Sequence, residues 1–289
     1  MAADRLVEIM HAVAFGENVV QKDEDVKAGE LVVMRGTRLR PQEIGALAGL
    51  GIESIMVYEQ PIVAIISTGD EIVPLGSPCR AGEVRDINSF TLRGLIQQHG
   101  GIAVWKGICR DNYEIIRGAV ADALSCTDLI LLVGGTSAGV RDMSASVINS
   151  FGAPGVLFHG VAVKPGKPLI GGMVGTVPII GLPGHPAAVV GSFYNFVRPV
   201  MARLSGLVND RSNIRKVTAQ ITKAVASAAG REDHIRVKLE EHQGVISAIP
   251  VLGKSGLIST LVRADGIVVI PASKLGLDVG EAVSVYLFD

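Results

Sequence analysis

Two lysines flank a proline-glycine turn in the segment Lys164-Pro-Gly-Lys-Pro168. Ammonium groups beside exposed backbone N–H groups are suited to binding phosphate or another oxyanion. The same pattern is also common where two solvated lysines lie in an ordinary surface turn. The spacing alone leaves both interpretations open: an oxyanion site that uses Lys164 and Lys167, or a surface turn.

Three further stretches combine glycine or proline with polar residues: "TGDE" at 68–71, "GGTSAG" at 134–139 and "GLPGHP" at 181–186. Glycine lets a ligand approach the backbone, and proline suits the first turn of a helix. The N–H groups at the start of that helix favour an anion. Each stretch is equally typical of a plain strand-to-helix turn, and "GGTSAG" matches neither a P-loop nor a dinucleotide fingerprint.

Five carboxylates lie in or just after predicted strand ends: Asp70, Glu71, Asp86, Asp111 and Asp142. Carboxylates beside a phosphate-binding surface can hold Mg²⁺, which prefers oxygen ligands. The alternative role is to cap the next helix, which we favour for Asp86 and consider equally open for Asp111 and Asp142. Glu71 has the stronger case for function. The six histidines form no recognisable metal or acid–base pair, and His185 is interpreted as a turn residue.

The elements around these residues alternate between strand and helix patterns. Apolar runs at 62–67, 102–108 and 128–134 predict buried strands, and 88–100 and 113–125 have helical spacing. This order predicts an α/β fold: a three-layer, doubly wound, mostly parallel sheet covered by helices on both faces. Ligands bind at the carboxyl ends of such strands, so we expect the polar loops to gather at one edge.

The chain divides into three predicted regions. Residues 1–60 form a partial N-terminal α+β segment, in which "ELVVMRG" is strand-like and "RPQEIGALAGLG" is helical. Residues 61–207 form the α/β domain, and 213–289 form a small β domain of short, partly alternating runs.

Composition excludes several classes of protein. The net charge is −1 and the pI is about 6.6, so a broad basic face for nucleic acid is not expected. The three cysteines form no C-x-x-C pair, which argues against a disulfide framework or a structural zinc site. Every apolar run is interrupted well before membrane-spanning length. We therefore expect a cytoplasmic protein that binds neither nucleic acid nor membrane.

Taken in order, the motifs resemble the molybdopterin molybdenumtransferase family, of the MoeA and gephyrin E-domain type. The matching stretches include "VAIISTGDEIVPLG", "GEVRDINSF", "LLVGGTSAGVRD", "VAVKPGKPL" and "PIIGLPGHPAAVVGSFYNFVRPVM". The resemblance runs from about Val7 to Asp289. Single motifs are weak, but this ordered set is highly specific.

The resemblance implies an activity in molybdenum cofactor biosynthesis: Mg²⁺-dependent insertion of molybdate into adenylylated molybdopterin with release of AMP. It also implies a homodimer and a possible contact with the molybdopterin adenylyltransferase. The implied catalytic residues are Glu71, Asp142, Lys164 and Lys167. The implied molybdopterin-binding residues are Thr68, Gly69, Asp70, Gly134, Gly135, Thr136, Ser137, Pro183, Gly184 and Pro186. The implied metal ligands are Glu71, Asp111 and Asp142.

Three features depart from the family pattern. His185 stands where asparagine is usual, and Met143 stands where tyrosine is common. The family's first segment, with a Ser-x-x-Asp-Gly-Tyr-Ala motif and a β insertion domain, has no counterpart here. Alternatives to the enzyme are therefore a non-catalytic molybdopterin-binding or scaffold protein and a truncated, inactive family member. The related adenylyltransferase is disfavoured by the C-terminal β domain.

Overall fold

A computed structural model describes residues 10–134, 143–207 and 215–288, together with the helical backbone of 138–142. The chain forms two compact units, residues 1–56 and 57–289. In the described part of the first unit, helix α1 spans Pro41–Gly49, which confirms the predicted helix. The backbone N–H of Arg40 donates to Glu43 Oε2 at 2.7 Å, and Pro41 occupies the first turn.

The strand predicted for "ELVVMRG" is wrong, because residues 30–36 form no strand in the structure. Its apolar side chains Leu31 and Met34 are strongly exposed. A strand needs a neighbour for its backbone hydrogen bonds, and none of the described residues supplies one here.

The first part of the larger unit alternates strands and helices. Its strands are β1 (Ile62–Thr68), β2 (Ile72–Val73), β3 (Val84–Arg85), β4 (Ile102–Cys109), β5 (Leu129–Gly134), β6 (Pro154–His159), β7 (Val163–Lys164), β8 (Ile170–Val174) and β9 (Val177–Leu182). Its helices are α2 (Asn88–Gln98), α3 (Tyr113–Leu124), α4 (Ala138–Ser150), α5 (Pro186–Ser192), a π-helical segment (Phe193–Val197) and α6 (Arg198–Leu204).

Six of these strands form one sheet in the order β4-β1-β5-β9-β8-β6. The first four are parallel, and β8 and β6 are antiparallel to their neighbours. Strand β1 is buried on both faces: Val63 and Ile65 join one core with helices α2 and α5, whereas Ala64 and Ile66 join another with α3 and α4. The predicted three-layer, mostly parallel fold is confirmed.

The second part of the larger unit is the predicted C-terminal β domain. It contains β10 (Lys216–Ile221), β11 (Val225–Ala226), β12 (Glu232–His242), β13 (Val245–Pro250), helix α7 (Ser259–Val262), β14 (Gly266–Ile270), β15 (Gly276–Leu277) and β16 (Ala282–Leu287). Its main sheet has the order β13-β10-β16-β14-β12-β7. Its apolar core includes Val237, Val268 and Val285.

Strand β7 crosses from the α/β domain into the sheet of the β domain. Val163 pairs with Glu232 and Lys164 pairs with Asp233, in a parallel register. The Lys-Pro-Gly-Lys-Pro loop follows β7 directly and therefore lies against β12. In the described part of the chain, no helix has the length and apolar composition required to cross a bilayer.

Candidate functional site

The carboxyl ends of the central strands lie side by side. Thr68, the last residue of β1, pairs with Cys109 of β4 and with Gly134 of β5. Gly134 has a φ of +146°, and a Cβ placed on it would lie 1.9 Å from the carbonyl oxygen of Thr68. Glycine is therefore required at the end of β5, where the polar loops begin.

The loops after β1 and β4 form an acidic loop pair, defined here as residues 69–71 and 110–111. The N–H of Gly69 donates to the carbonyl of Cys109 at 3.1 Å, and the N–H of Asp111 donates to Asp70 Oδ1 at 3.3 Å. Arg110 lies 4.0 Å from the same Asp70 oxygen, but both side chains are mostly exposed. The backbone bonds, more than this ion pair, fix the two loops together.

The carboxylate of Glu71 lies beside Gly69, close to the position that a Cβ atom on Gly69 would occupy. A Cβ on Gly69 would come within 2.9 Å of Glu71 Oε2 and within 2.8 Å of Ile72. The missing side chain of Gly69 therefore leaves room for the Glu71 carboxylate at the sheet edge.

Asp111 is the most constrained carboxylate of the acidic loop pair. Its Oδ1 atom is buried and accepts no hydrogen bond from the described residues. Burial raises the pKa of Asp111, and the negative charges of Asp70 and Glu71 raise it further, against a hydrogen bond from the Asp70 backbone that lowers it. A bound cation would relieve both the burial cost and the repulsion, so the Asp111 carboxylate would be stabilised beside a divalent metal such as Mg²⁺.

The capping alternative for Asp111 is wrong, because Asn112 caps helix α3. The Oδ1 atom of Asn112 accepts from the N–H groups of Glu114 and Ile115 at 3.0 and 3.1 Å. Within the residues described, no three His, Cys, Asp or Glu side chains cluster closely enough to hold a metal. The side chain of Asp142, the third predicted ligand, lies outside those residues.

The start of helix α2 connects the acidic loop pair to the turn after β9. Asp86 accepts from the Ser89 N–H at 3.1 Å and from the Ser67 hydroxyl at 2.7 Å, which confirms the predicted capping role. The amide of Asn88 donates to the Gly184 carbonyl at 2.8 Å. Helix α2 thus holds the end of β1 and the "GLPGHP" turn in a fixed relation.

The "GLPGHP" turn starts helix α5 and contacts the β domain. Pro183 is buried, and Pro186 lies in the first turn of the helix. His185 Nδ1 lies 3.0 Å from the Ser255 hydroxyl, and the N–H of Ala187 donates to the Ser255 carbonyl at 3.1 Å. His185 is a turn residue, as predicted, and it also joins the two domains.

A cleft of about 860 Å³ opens between the two domains of the larger unit. We call it the basic cleft. Its walls are residues 161–168, Pro183, His185, Ala188, 225–226, 228–231, 233–236 and 251–255. Its cationic lining residues are Lys164, Lys167, Arg231, Arg236 and Lys254. Among the described lining residues, Asp233 is the carboxylate that opposes them, so the cleft carries a net positive charge.

Asp233 holds part of this positive charge in place. It is 1% exposed, with Arg231 Nε 2.8 Å from Oδ1 and Lys164 Nζ 3.6 Å from Oδ2. Lys164 is thus tethered to the β domain while it lines the cleft. Lys167 and Lys254 form no ion pair with any described residue, so their charges are available to a ligand.

Arg236 brings a buried guanidinium to the same cleft. The residue is 8% exposed, Nη2 donates to the Gly253 carbonyl at 3.1 Å, and Nε is buried without a hydrogen-bond partner among the described residues. Burial lowers the pKa of Arg236. A buried guanidinium with an unpaired donor is costly, and an anionic ligand in the cleft would offset that cost.

Models of known families match three parts of the chain. The probable molybdopterin binding domain matches residues 64–203, the MoeA N-terminal region (domains I and II) matches 2–51, and the MoeA C-terminal region (domain IV) matches 218–288. A putative molybdopterin biosynthesis protein of Methanocaldococcus jannaschii is 35% identical over 98% of this chain and 69% of its own length. The chain belongs to the MoeA family.

Other MoeA relatives agree with this assignment. The molybdopterin molybdenumtransferase of Haemophilus influenzae is 32% identical over 94% of this chain and 67% of its own length. A crystal structure of a molybdopterin biosynthesis MoeA protein from Pyrococcus horikoshii superposes with a TM-score of 0.79 at 36% identity. That superposition covers 92% of this chain and 64% of the other chain. This chain thus spans about two thirds of the length of these relatives.

The predicted site residues of this MoeA-family chain fall into two described groups and one undescribed group. Thr68, Gly69, Asp70, Glu71 and Asp111 lie together at the ends of β1 and β4. Lys164, Lys167 and Pro183 line the basic cleft, and Gly184 and Pro186 continue its turn. Gly135, Thr136 and Ser137 lie outside the described residues. Met143 packs against the core formed with helices α3 and α4.

Sequence reasoning missed the wall of the basic cleft that the β domain supplies. It consists of Arg231, Arg236, Lys254 and Ser255. Two signals were available: the arginines of "GREDHIR", which lie within a strand pattern, and the Gly-Lys-Ser-Gly turn at 253–256. Neither signal shows which loop of the other domain it faces.

Proposed function

We propose that this chain is a molybdopterin molybdenumtransferase, which inserts molybdate into adenylylated molybdopterin with release of AMP. The basic cleft is the observation that carries this proposal. It brings the Lys-Pro-Gly-Lys-Pro loop of a molybdopterin-binding domain against cationic residues of the β domain. The names of the relatives support the same activity.

In this proposal, the basic cleft concentrates molybdate and the phosphate of the ligand. Lys167 and Lys254 provide mobile ammonium groups, and Arg236 provides a fixed guanidinium whose Nε is unpaired. Cationic donors fixed before the reaction stabilise charge on an oxyanion at little reorganisation cost. Lys164 stays tethered to Asp233 and contributes at the cleft wall.

The acidic loop pair is the proposed Mg²⁺ site, with Glu71, Asp111 and Asp142 as ligands. When bound, the metal would neutralise charge on the phosphoanhydride of the adenylylated ligand. Asp70 positions the second loop through its bond to the Asp111 N–H. Glu71 has the space beside Gly69 to approach either the metal or a water molecule.

The pterin-phosphate end of the ligand is assigned to the sheet edge between these two regions. The proposed contacts are Thr68, Gly69, Asp70, Gly134, Gly135, Thr136 and Ser137, with Pro183, Gly184 and Pro186 as the opposing wall. A homodimer, a contact with the molybdopterin adenylyltransferase and a cytoplasmic location belong to the same proposal.

The test mixes the purified chain with adenylylated molybdopterin, Mg²⁺ and molybdate, and follows AMP release and cofactor formation beside a binding titration. We expect turnover that depends on both Mg²⁺ and molybdate. Lys167→Ala should raise the molybdate concentration required for half-maximal rate about tenfold, the effect of one charge-assisted contact. The matched control Lys223→Ala, an exposed lysine of the β domain, should leave it unchanged.

Two other outcomes would overturn the enzyme assignment. Tight binding of the ligand without AMP release would identify a non-catalytic molybdopterin-binding protein. Absence of both binding and turnover would reject both assignments for this chain.

A further inference from the structure

A second cavity, of about 290 Å³, lies between the π-helical segment of the α/β domain and the sheet of the β domain. Residues around it include Tyr194, Asn195, Glu232, His234, Tyr286 and Phe288. It is separate from the basic cleft in its lining, since of these six residues only His234 also borders the cleft. The proposed molybdenumtransferase reaction gives it no role.

One wall of this cavity is polar and centred on His234, which is 8% exposed. Asn195 Nδ2 lies 3.4 Å from His234 Nδ1, so Nδ1 is assigned as the acceptor and Nε2 carries the hydrogen. Burial lowers the pKa of His234, against the nearby carboxylates of Glu232 and Asp233 that raise it. Burial therefore favours the neutral form of the ring.

The Nε2–H group of His234 is a buried donor without a hydrogen-bond partner among the described residues. Glu232 Oε2 lies 3.6 Å from Nε2, which is too long for a hydrogen bond. Asn195 and Glu232, which flank the two ring nitrogens, line this cavity and not the basic cleft. The imidazole of His234 therefore lies beside the polar wall of the second cavity.

Apart from Arg198, the other walls are mainly apolar and aromatic. Ile267 and Val269 of β14 line one side, and the rings of Tyr194 and Phe288 approach each other with centroids 5.9 Å apart at an angle of 30°. The volume lies near the lower end of the range of about 300–1,000 Å³ for small-molecule pockets. This size suits one flat bicyclic ring.

The backbone that borders this cavity includes a π-helical turn. Asn195 lies in the π-helical segment Phe193–Val197, between two α-helices. A π-helical turn inserts an extra residue into a helix and is frequent at functional sites. Here the turn carries Asn195, the residue that sets the assigned His234 tautomer.

We propose that this second cavity binds a heteroaromatic base with a lactam edge, a ring carbonyl beside a ring N–H. His234 Nε2–H donates to the carbonyl oxygen, Glu232 accepts from the ring N–H, and the ring lies against the apolar walls. Hypoxanthine, guanine and pterins share this edge. Adenine lacks it, because an amino group replaces the carbonyl and its ring nitrogen carries no hydrogen.

The test is calorimetric titration of the full chain with hypoxanthine and with adenine, two bases of nearly the same shape. We expect hypoxanthine to bind at least tenfold more tightly. A parallel titration with pterin-6-carboxylate identifies which ring system is preferred. Preference for hypoxanthine over adenine supports the proposal, whereas equal affinities of these two bases, or no binding of hypoxanthine up to its solubility limit, would overturn it.

Variants locate the binding. Glu232→Ala should weaken lactam binding at least tenfold; its side chain is 51% exposed, so we expect the fold to persist. The matched control Glu241→Ala, an exposed carboxylate on the same strand, should have no effect. Lys254→Ala separates the two pockets, because it alters the basic cleft and not the second cavity. Lactam binding that is lost in Lys254→Ala but unchanged in Glu232→Ala would overturn the proposal without affecting the molybdenumtransferase assignment.

Discussion

The acidic loop pair and the basic cleft both use loops that follow strands of the α/β sheet, but they are built differently. The acidic loop pair comes from two loops that follow neighbouring strands, β1 and β4, and it is held by backbone bonds between them. The basic cleft needs two domains, joined where β7 pairs with β12. Negative and positive charges are thus carried by separate parts of the fold, which leaves each region with unpaired charge for a ligand.

This separation predicts that substitutions in the two regions affect different steps, namely turnover and ligand binding. Acidic residues should affect turnover, because the proposed metal would neutralise charge on the reacting phosphate. Cationic residues should affect affinity, because they attract the oxyanion before it reacts. The substitutions below are ordered from the largest expected effect to the smallest: the first ones test this contrast in turnover and affinity, and those at Asp233 and Asp111 test how each region contributes to stability.

Glu71→Ala should give the largest effect, a loss of turnover of about 10²–10³-fold, the size reported for the removal of one preorganised electrostatic contact. Ligand affinity should change only a few-fold, since the basic cleft is intact. Asp142→Ala should behave in the same way. Single-turnover AMP release beside a binding titration measures both quantities.

The control for Glu71→Ala is Glu114→Ala, an exposed carboxylate in the first turn of helix α3. It should retain normal turnover. Wild-type activity in Glu71→Ala would remove the role assigned to that residue.

Arg236→Ala should weaken binding of the anionic ligand by about 10–100-fold, because a charge-assisted contact to a buried guanidinium is lost. Arg236→Lys should not restore the full affinity, since an ammonium group lacks the planar fork. Titration of both variants with molybdate measures the change. Lys164→Ala should weaken binding less, because Lys164 is already paired with Asp233.

Lys238→Ala is the matched control, an exposed cation on the same strand that pairs with Glu240. Its affinity for molybdate should equal that of the wild type. A drop in turnover at saturating ligand in Arg236→Ala, with affinity unchanged, would contradict the proposed division of labour.

Asp233→Asn should lower the free energy of unfolding by about 1–2 kcal/mol, because the buried carboxylate between Arg231 and Lys164 loses its charge. The loss stays below the roughly 3–5 kcal/mol of a fully buried pair, since both cations are partly exposed and can be rehydrated. Urea unfolding measures it. Asp278→Asn, on the surface of the same domain, should change stability by less than about 0.5 kcal/mol.

Asp111→Asn should have the smallest effect on stability. Unlike Asp233→Asn, it should raise the free energy of unfolding. The folded-state pKa of Asp111 is raised, so its contribution to stability is present below the unfolded value of 3.8 and is lost as pH rises through the folded pKa. At pH 7.5 the substitution should therefore stabilise the chain, by less than about 1 kcal/mol because the group is partly solvated.

Thermal unfolding at pH 7.5 and 4.5 checks this sign. The stabilisation by Asp111→Asn should shrink at pH 4.5, where the wild-type carboxylate begins to take up a proton. A saturating concentration of Mg²⁺ should reverse it at pH 7.5, if the metal binds the wild-type carboxylate. Destabilisation by the substitution at pH 7.5 without metal would show that the raised pKa is wrong.

Much of the α/β domain was predictable because its signals are local. The apolar runs of β1, β4 and β5 end abruptly at polar loops, and parallel strands place such loops at one edge whatever their separation in the chain. Asp86 was predictable as a cap from the helix pattern that follows it. The role of Asp111 could not be predicted from its position alone, since Asn112 is an equally good helix cap one residue later.

The sequence by itself determined the family, the strand and helix order of the α/β domain, and the edge at which its polar loops meet. These follow from apolar periodicity, glycine positions and an ordered set of motifs, all of which are properties of short segments. The tertiary structure alone decided that Val163 and Lys164 pair with Glu232 and Asp233, about seventy positions later in the chain. That pairing brings the Lys-Pro-Gly-Lys-Pro loop against the β domain and so helps to form the basic cleft. The sequence did not reveal it, because backbone hydrogen bonds between distant strands leave no local pattern in either strand.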